Sequence, residues 1–228
     1  NYEAGYCAGQ FPKFEDSVFW VGEREGRRDQ FILPTAETAL VNLHRGEILS
    51  EDELPKKYFA YTPCYRQEAG SYRSEERGMI RGNQFNKVEM VQYALPENSA
   101  AAFEEMVGKA EALVRGLGLH YQLSKLAAGD CSASMARTYD IEVWIPSMGI
   151  YKEVSSASNS NDYQARRGSV RVKRKATGKN EFVHILNASG LATSRVFPAI
   201  LEQFQQADGS VKVPEPLVKW VGKEYLRP

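Results

Sequence analysis

Apolar residues return along the chain in two rhythms, one helical and one extended. After Asn98-Ser99, the residues Phe103, Met106, Val107, Ala110, Leu113, Val114 and Leu117 recur at i, i+3, i+4 and i+7 until Gly116 and Gly118 break the pattern. That spacing predicts a helix laid against a sheet or another helix. Thr35 offers an N-cap for a second helix, carried by Leu40 and Leu43 to about residue 48. Ser50 and Glu53 stand at capping-box spacing before a short third one. A last helix is expected over 195–206, with Pro198 in its first turn, where a missing N–H removes no helical bond.

Alternation of period two marks 58–62, 87–93, 138–145, 150–155, 169–174 and 182–187 as strands. These runs follow one another instead of alternating with helices, and Pro146-Ser147-Met148-Gly149 reads as a turn between two of them. The fold class this favours is α+β, a mainly antiparallel β-sheet flanked by helices, over a doubly wound parallel sheet.

Composition adds boundaries. The 228 residues are 43% apolar, with 29 Lys+Arg balancing 29 Asp+Glu, so a single soluble domain is expected and no global field steers it toward nucleic acid or membrane. Folding at this length buries roughly 70% of the chain's surface, enough to dispense with a disulfide or a structural metal. Cys7, Cys64 and Cys131 form no C-x-x-C and read as thiols in a reducing compartment. No run of 18 apolar residues and no basic-apolar leader occur, so a cytoplasmic protein without membrane contact is expected; the missing initiator Met suggests truncation at the N-terminus.

The phosphate loop, the dinucleotide-binding glycines, the zinc-protease helix and the serine-hydrolase elbow are all absent. His44, His120 and His184 are far apart and read as structural or solvated. What stands out is charge on runs patterned as buried strands. Arg66 and Glu68 are two apart, Glu89 is mid-strand, Asp140 and Glu142 share a face, and Glu153 follows on the next run. A buried carboxylate is costly unless paired or bound to metal, so Arg66, Glu68, Glu89 and Glu153 mark either an internal salt-bridge network or a site for a polyanion and its cation. Arg195 favours the second, because the small residues 187–194 before it would let backbone approach a ligand; the plainer reading is a strand-to-helix turn.

At these residues the sequence resembles the catalytic domain of the seryl-tRNA synthetase family, within the class II aminoacyl-tRNA synthetases. The resemblance rests on Gly9-Gln10-Phe11-Pro12-Lys13-Phe14, Leu33-Pro34-Thr35-Ala36-Glu37, Tyr61-Thr62-Pro63-Cys64-Tyr65-Arg66-Gln67-Glu68-Ala69-Gly70 and Gln84-Phe85-Asn86-Lys87-Val88-Glu89. It continues through Tyr139-Asp140-Ile141-Glu142-Val143-Trp144, Lys152-Glu153-Val154-Ser155-Ser156, Gln164-Ala165-Arg166-Arg167 and Gly190-Leu191-Ala192. Eight segments in one order are specific where any single one is weak.

The resemblance implies a role for each matching residue. Arg66 grips the α-phosphate of ATP, with Gln67 and Glu68 beside it and Gly82 and Phe85 against the adenine. Thr35, Ala36, Glu37, Glu89 and Ser189 contact serine. Glu153, Val154, Ser155 and Ser156 form a second ATP segment in which Glu153 and Ser156 hold Mg²⁺, and Arg195 meets the γ-phosphate. Arg66, Glu68 and Arg195 are thus the catalytic set. The implied activity is ATP-dependent formation of seryl-adenylate and transfer of serine to tRNA(Ser) by a homodimer, with residues 1–228 as the catalytic core and with the helical tRNA-binding arm and most of motif 1 upstream of Asn1. Alternatives are a synthetase-like ligase loading an amino acid on a non-tRNA carrier, or an inactive paralogue serving as a binding module.

Asn83, Ala188 and Ser194 depart from the family pattern, which has His, Gly and Gly there. No zinc is expected, since Cys64 has no second thiol near 187–189. Arg166, Arg167, Arg171, Lys173, Arg174, Lys175 and Lys179 form a basic stretch, read more readily as a solvated strand face than as a track for an acceptor stem. Glu75-Glu76 and Glu104-Glu105 read as solvated faces.

Overall fold

The computed structural model describes residues 1–22, 26, 29–68 and 78–228. In chain order the elements are α1 (Tyr2–Cys7), α2 (Glu37–Leu40), β1 (Ile48–Ser50), β2 (Lys56–Tyr65), β3 (Gln84–Ala94), α3 (Ser99–Gly116), β4 (Tyr121–Lys125), β5 (Arg137–Ile145) and β6 (Ile150–Asn159). They continue as α4 (Tyr163–Gly168), β7 (Arg171–Lys173), β8 (Asn180–Phe182), β9 (His184–Ala192), α5 (Thr193–Gln203), β10 (Val211–Lys212), α6 (Glu215–Val221) and β11 (Tyr225–Leu226). Six strands pair antiparallel in the order β2-β3-β9-β6-β5-β4, which fulfils the expected class. A small sheet, β1-β7-β8, stands apart, with β1 parallel to β7.

Two helices cover one face of the main sheet. The stripe on α3 places Phe103, Met106 and Val107 on Ala157, Leu186 and Ala188, while Val196 and Ala199 of α5 meet Ile141, Val143 and Val154. Near the small sheet, Leu40 and Val41 pack with Val91, Tyr93, Ile185 and Val172. No helix among the described residues is long and apolar enough to cross a membrane.

Several boundaries differ from the sequence pattern. The helix expected from Thr35 to about residue 48 is the single turn α2, with Ala36 as its N-cap. The chain then turns through Gly46, at φ +79°, into β1, where Ile48 and Leu49 alternate outward and inward along β7. The Ser50-Glu53 capping box forms, over a 3₁₀ turn. Residues 187–192 are not a strand-to-helix turn. They extend β9 because β3 pairs along its length, Ser189 opposite Glu89 and Ala192 opposite Lys87. The strand passes straight into α5 at Thr193, so Pro198 is interior to the helix and not in its first turn. The short helices α1, α4 and α6 and the strands β4, β10 and β11 lacked enough periodic residues to announce themselves.

Candidate active site

β2 ends at the wall of a cavity of about 90 Å³, which Arg66, Glu68, Gly82, Phe85, Glu153 and Arg195 line together with Lys87 and Ser189. Arg66 donates from Nε to the Pro34 carbonyl at 3.3 Å, and its guanidinium lies 5.2 Å from the Phe85 ring centre. Glu68, at φ 54°, adopts a left-handed backbone that few non-glycine residues occupy, and its carboxylate meets Arg81 at 2.5 Å. Arg195 donates to the Glu153 carbonyl at 2.9 Å and lies 3.8 Å from its carboxylate. Of the alternatives left open by the charge pattern, the ion pairing is present, Glu68 with Arg81 and Glu153 with Arg195, and both pairs line the cavity.

A second cavity, of about 230 Å³, shares Arg66, Glu68 and Arg81 with the first and is walled by Phe11, Phe14, Phe31, Gln10 and Thr35. Behind it and Ser189 lies a buried polar network. Lys87 Nζ lies 2.6 Å from Glu89 Oε2 and donates to Thr35 Oγ1 at 2.8 Å, and Ser189 Oγ donates to Glu89 at 3.4 Å. The pairing of β3 with β9 shifts register between Lys87 and Glu89. Glu37 is 7% exposed; its Oε1 accepts from Gln164 Nε2 at 2.8 Å and Asn187 Nδ2 at 3.2 Å, while Gln10 Nε2 lies 3.5 Å from Oε2. Burial, and next the Glu89 charge, push the Glu37 carboxyl up to about 7 against the pull of Lys87, the Gln164 bond and Arg66.

Across β5 and β6, Glu142 faces Glu153 and Asp140 faces Ser156. Burial first and then Glu153 push the Asp140 carboxyl up to about 6, opposed by its Ser156 bond, and Asp140 Oδ1 is buried without a hydrogen-bond partner. The register between β5 and β6 shifts after Ile141, and Val154 is absorbed there into the apolar cluster with Ile141 and Val143.

Not every expected site residue reaches a cavity. Gln67 donates its carboxamide to the Val18 carbonyl at 2.7 Å, Ser155 donates to the Ser189 carbonyl at 2.6 Å, and Ala36 and Val154 pack in the core. Lys87, Arg81, Gln10, Asn187 and Gln164 were assigned no role from sequence, yet they are the partners that hold Glu89, Glu68 and Glu37. Lys87 could have been found, because a lysine two residues from a mid-strand glutamate shares its face. Gln164 gave no such signal. Glu75-Glu76 and Ala69-Gly70 lie outside the described residues.

Residues 19–204 match the family described as tRNA synthetase class II core domain (G, H, P, S and T). The chain belongs to this family. The synthetase core is 75% identical over 227 residues to serine--tRNA ligase 2 of Clostridium acetobutylicum, a match spanning 99% of the chain and 53% of that protein. It is 54% identical over 218 residues to the serine--tRNA ligase of Thermotoga maritima, covering 96% of the chain and 50% of the relative. The crystal structure of seryl-tRNA synthetase from Pyrococcus horikoshii complexed with ATP superposes at a TM-score of 0.94 with 37% identity, over 100% of this chain and 50% of that one. The chain thus spans about half the length of the curated relatives it matches.

Outside the cavities, this synthetase core spends much of its basic stretch on itself. Arg174 pairs with Glu51 at 3.2 Å, Glu97 at 2.7 Å and Glu181 at 3.3 Å, Lys175 with Asp52, and Arg166 with Asp162 at 2.7 Å. Arg167 stacks on Tyr6 and Tyr163 and donates to the Tyr6 carbonyl. Glu105 likewise pairs with Lys57 and Lys109, and Glu104 with Arg137, as solvated faces do. Each histidine is bonded locally, His44 to Glu47 and Tyr58, His120 to Tyr151 and His184 to Ser99.

Proposed function

We propose that this chain activates L-serine with ATP to form seryl-adenylate and passes the seryl group to tRNA(Ser), in a protein that is cytoplasmic and homodimeric when complete. The observation that carries this reading is the junction of two unlike environments. A cavity with Arg66 and Arg195 in its wall, suited to phosphate, shares Lys87 and Ser189 with a buried network rich in hydroxyl and carboxylate groups, suited to a small amino acid. The relatives named above support the same choice.

In this reading Thr35, Glu37, Glu89 and Ser189 hold serine, Ala36 packs in the core behind them, and the carboxylate oxygen of the bound serine is presented to the α-phosphorus. A new P–O bond forms there, the bond from the α-phosphorus to its bridging oxygen breaks, and pyrophosphate leaves. Arg66, beside Gln67 and Glu68, meets the negative charge that accumulates on the α-phosphate; Gly82 and Phe85 take the adenine, and Arg195 the γ-phosphate. The 3′-terminal hydroxyl of tRNA(Ser) then attacks the seryl carbonyl carbon and AMP leaves with the hydroxyl's proton. No side-chain nucleophile is needed, because alignment and charge stabilisation supply the rate.

Magnesium fits the donors present. Among the described residues no three His, Cys, Asp or Glu converge on a metal position, but Mg²⁺ is commonly bound by one or two carboxylates plus substrate phosphates. Glu153, at the cavity and opposite Glu142, and Ser156, opposite Asp140, would hold it, with Val154 and Ser155 contributing the backbone between them. Bound there, it would neutralise charge on the phosphates.

Amino-acid-dependent exchange of pyrophosphate into ATP tests the reading. Serine should support exchange, and alanine and glycine far less, because a pocket built to bond a hydroxyl leaves its own polar groups unpaired when the hydroxyl is missing. Equal rates with serine and alanine would refute the assignment of serine.

A further inference from the structure

We propose that Gln164 is the positioning residue for Glu37, holding one oxygen of that carboxylate so that the other is turned to Gln10 and the substrate side; this rests on Glu37 being a serine contact. Gln164 is 0% exposed on the short helix α4, and its carboxamide is committed in one orientation. Nε2 donates to Glu37 Oε1 at 2.8 Å and to the Ala8 carbonyl at 2.9 Å, while its oxygen accepts from Ser160 Oγ at 3.2 Å. Turned over, the carboxamide would set oxygen against oxygen at both Glu37 and Ala8. Asn187 adds a second amide donor to the same Oε1, whereas Oε2 is on the side of Gln10, which lines the larger cavity.

Neutral donors on a carboxylate favour its charged form. That help matters here because the charges around Glu37 conflict. Glu89 opposes its ionisation, and Lys87 on the same strand and Arg66 after β2 favour it. With Gln164 donating, Glu37 keeps a fraction of charge at neutral pH that burial would otherwise remove. That charge is what an amino-acid ammonium group requires.

The test replaces Gln164→Met, which keeps the volume and deletes the donor, in the full chain; Gln164→Asn, one methylene too short to reach, repeats it should the first variant fail to fold. Carboxyl ¹³C NMR, with Glu37 assigned by the signal lost in Glu37→Gln, reads the ionisation directly. The expected result is a Glu37 titration moved to higher pH by about one unit, with the serine KM near pH 7 raised roughly fivefold and recovering as pH rises. The KM for ATP should change by less than about twofold. Loss of packing alone would admit water, relieve the burial that raises this carboxyl, and move the titration the other way, to lower pH. A Glu37 titration unchanged in both variants overturns the inference. A moved titration with an unchanged serine KM overturns instead the reading of Glu37 as a serine contact.

Discussion

Asn83 clamps the peptide that carries Arg66. Its carboxamide nitrogen donates to the Arg66 and Gln67 carbonyls, both at 3.0 Å, while the Asn83 carbonyl accepts the Arg66 N–H at 2.9 Å. The departure from the family's usual histidine is therefore an occupied position with a mechanical role. Each lost bond is worth about 1 kcal/mol net. Asn83→Ala should lower kcat/KM for ATP in pyrophosphate exchange by roughly 5- to 30-fold while the protein stays folded, and Asn83→His, able to keep one of the two bonds, should fall between. Unchanged kinetics in Asn83→Ala would mean that the loop is fixed without it.

Arg66 should matter through charge. Its guanidinium is bonded to a carbonyl and lies over Phe85, and the nearby carboxylates Glu68, Glu89 and Glu153 are taken by Arg81, Lys87 and Arg195. Arg66→Ala should therefore cost at least ~10²-fold in activation, the scale of losing one preorganised transition-state contact, with little loss of stability. A large drop in melting temperature, coupled to full activity in a folded Arg66→Lys, would identify Arg66 as a structural ion-pair residue instead.

The legibility of this chain in its sequence follows from how local each signal is. The helix α3 was readable because seven apolar residues repeat on one face over about four turns, and β2, β3, β5 and β6 because alternation persists. α2 was overread: Leu40 and Leu43 mimic a helical stripe, but Leu43 is exposed and Leu49 packs from a strand. β9 was underread since Asn187-Ala188-Ser189-Gly190 lacks β-formers; neighbours on both sides and α3 above it leave room only for small residues, and a Cβ on Gly190 would lie 3.3 Å from Met90. At the site the charged residues were legible and their neutral holders were not. Gln164 is 127 positions from Glu37, and only the folded sheet brings the two together.

Stability should fall as pH rises through neutrality. The Glu37 carboxyl is raised from 4.5 to about 7 in the folded chain, so between those values the native state binds more protons than the unfolded one. Its relative stabilisation is complete below the unfolded pKa and is lost as pH climbs through the folded one, on the order of 3 kcal/mol for a buried group. Asp140, raised to about 6, has the same sign. Denaturant midpoints measured from pH 5 to pH 8.5 should decline, and Glu37→Gln should flatten most of that decline. Saturating serine should flatten it too, because an ammonium beside Glu37 favours its charged form. A midpoint that rises over this range would refute the proton placement.

The basic stretch yields a prediction about tRNA that its ion pairs sharpen. Arg174 faces three carboxylates and Lys175 faces Asp52, whereas Lys173 on β7 and Lys179 before β8 are exposed. Cations already neutralised release few counterions when they meet phosphate, so the stretch should add little to the salt dependence of tRNA binding. Neutralising Arg171, Lys173, Arg174 and Lys175 together should reduce the slope of log K against log salt by no more than about two, the share of Arg171 and Lys173, which have no carboxylate partner among the described residues, and should leave pyrophosphate exchange intact. The same substitutions should lower thermal stability, since Glu51, Glu97 and Glu181 lose the cation that joins them. A slope reduced by four with unchanged stability would show instead that these side chains leave their carboxylates to track an acceptor stem.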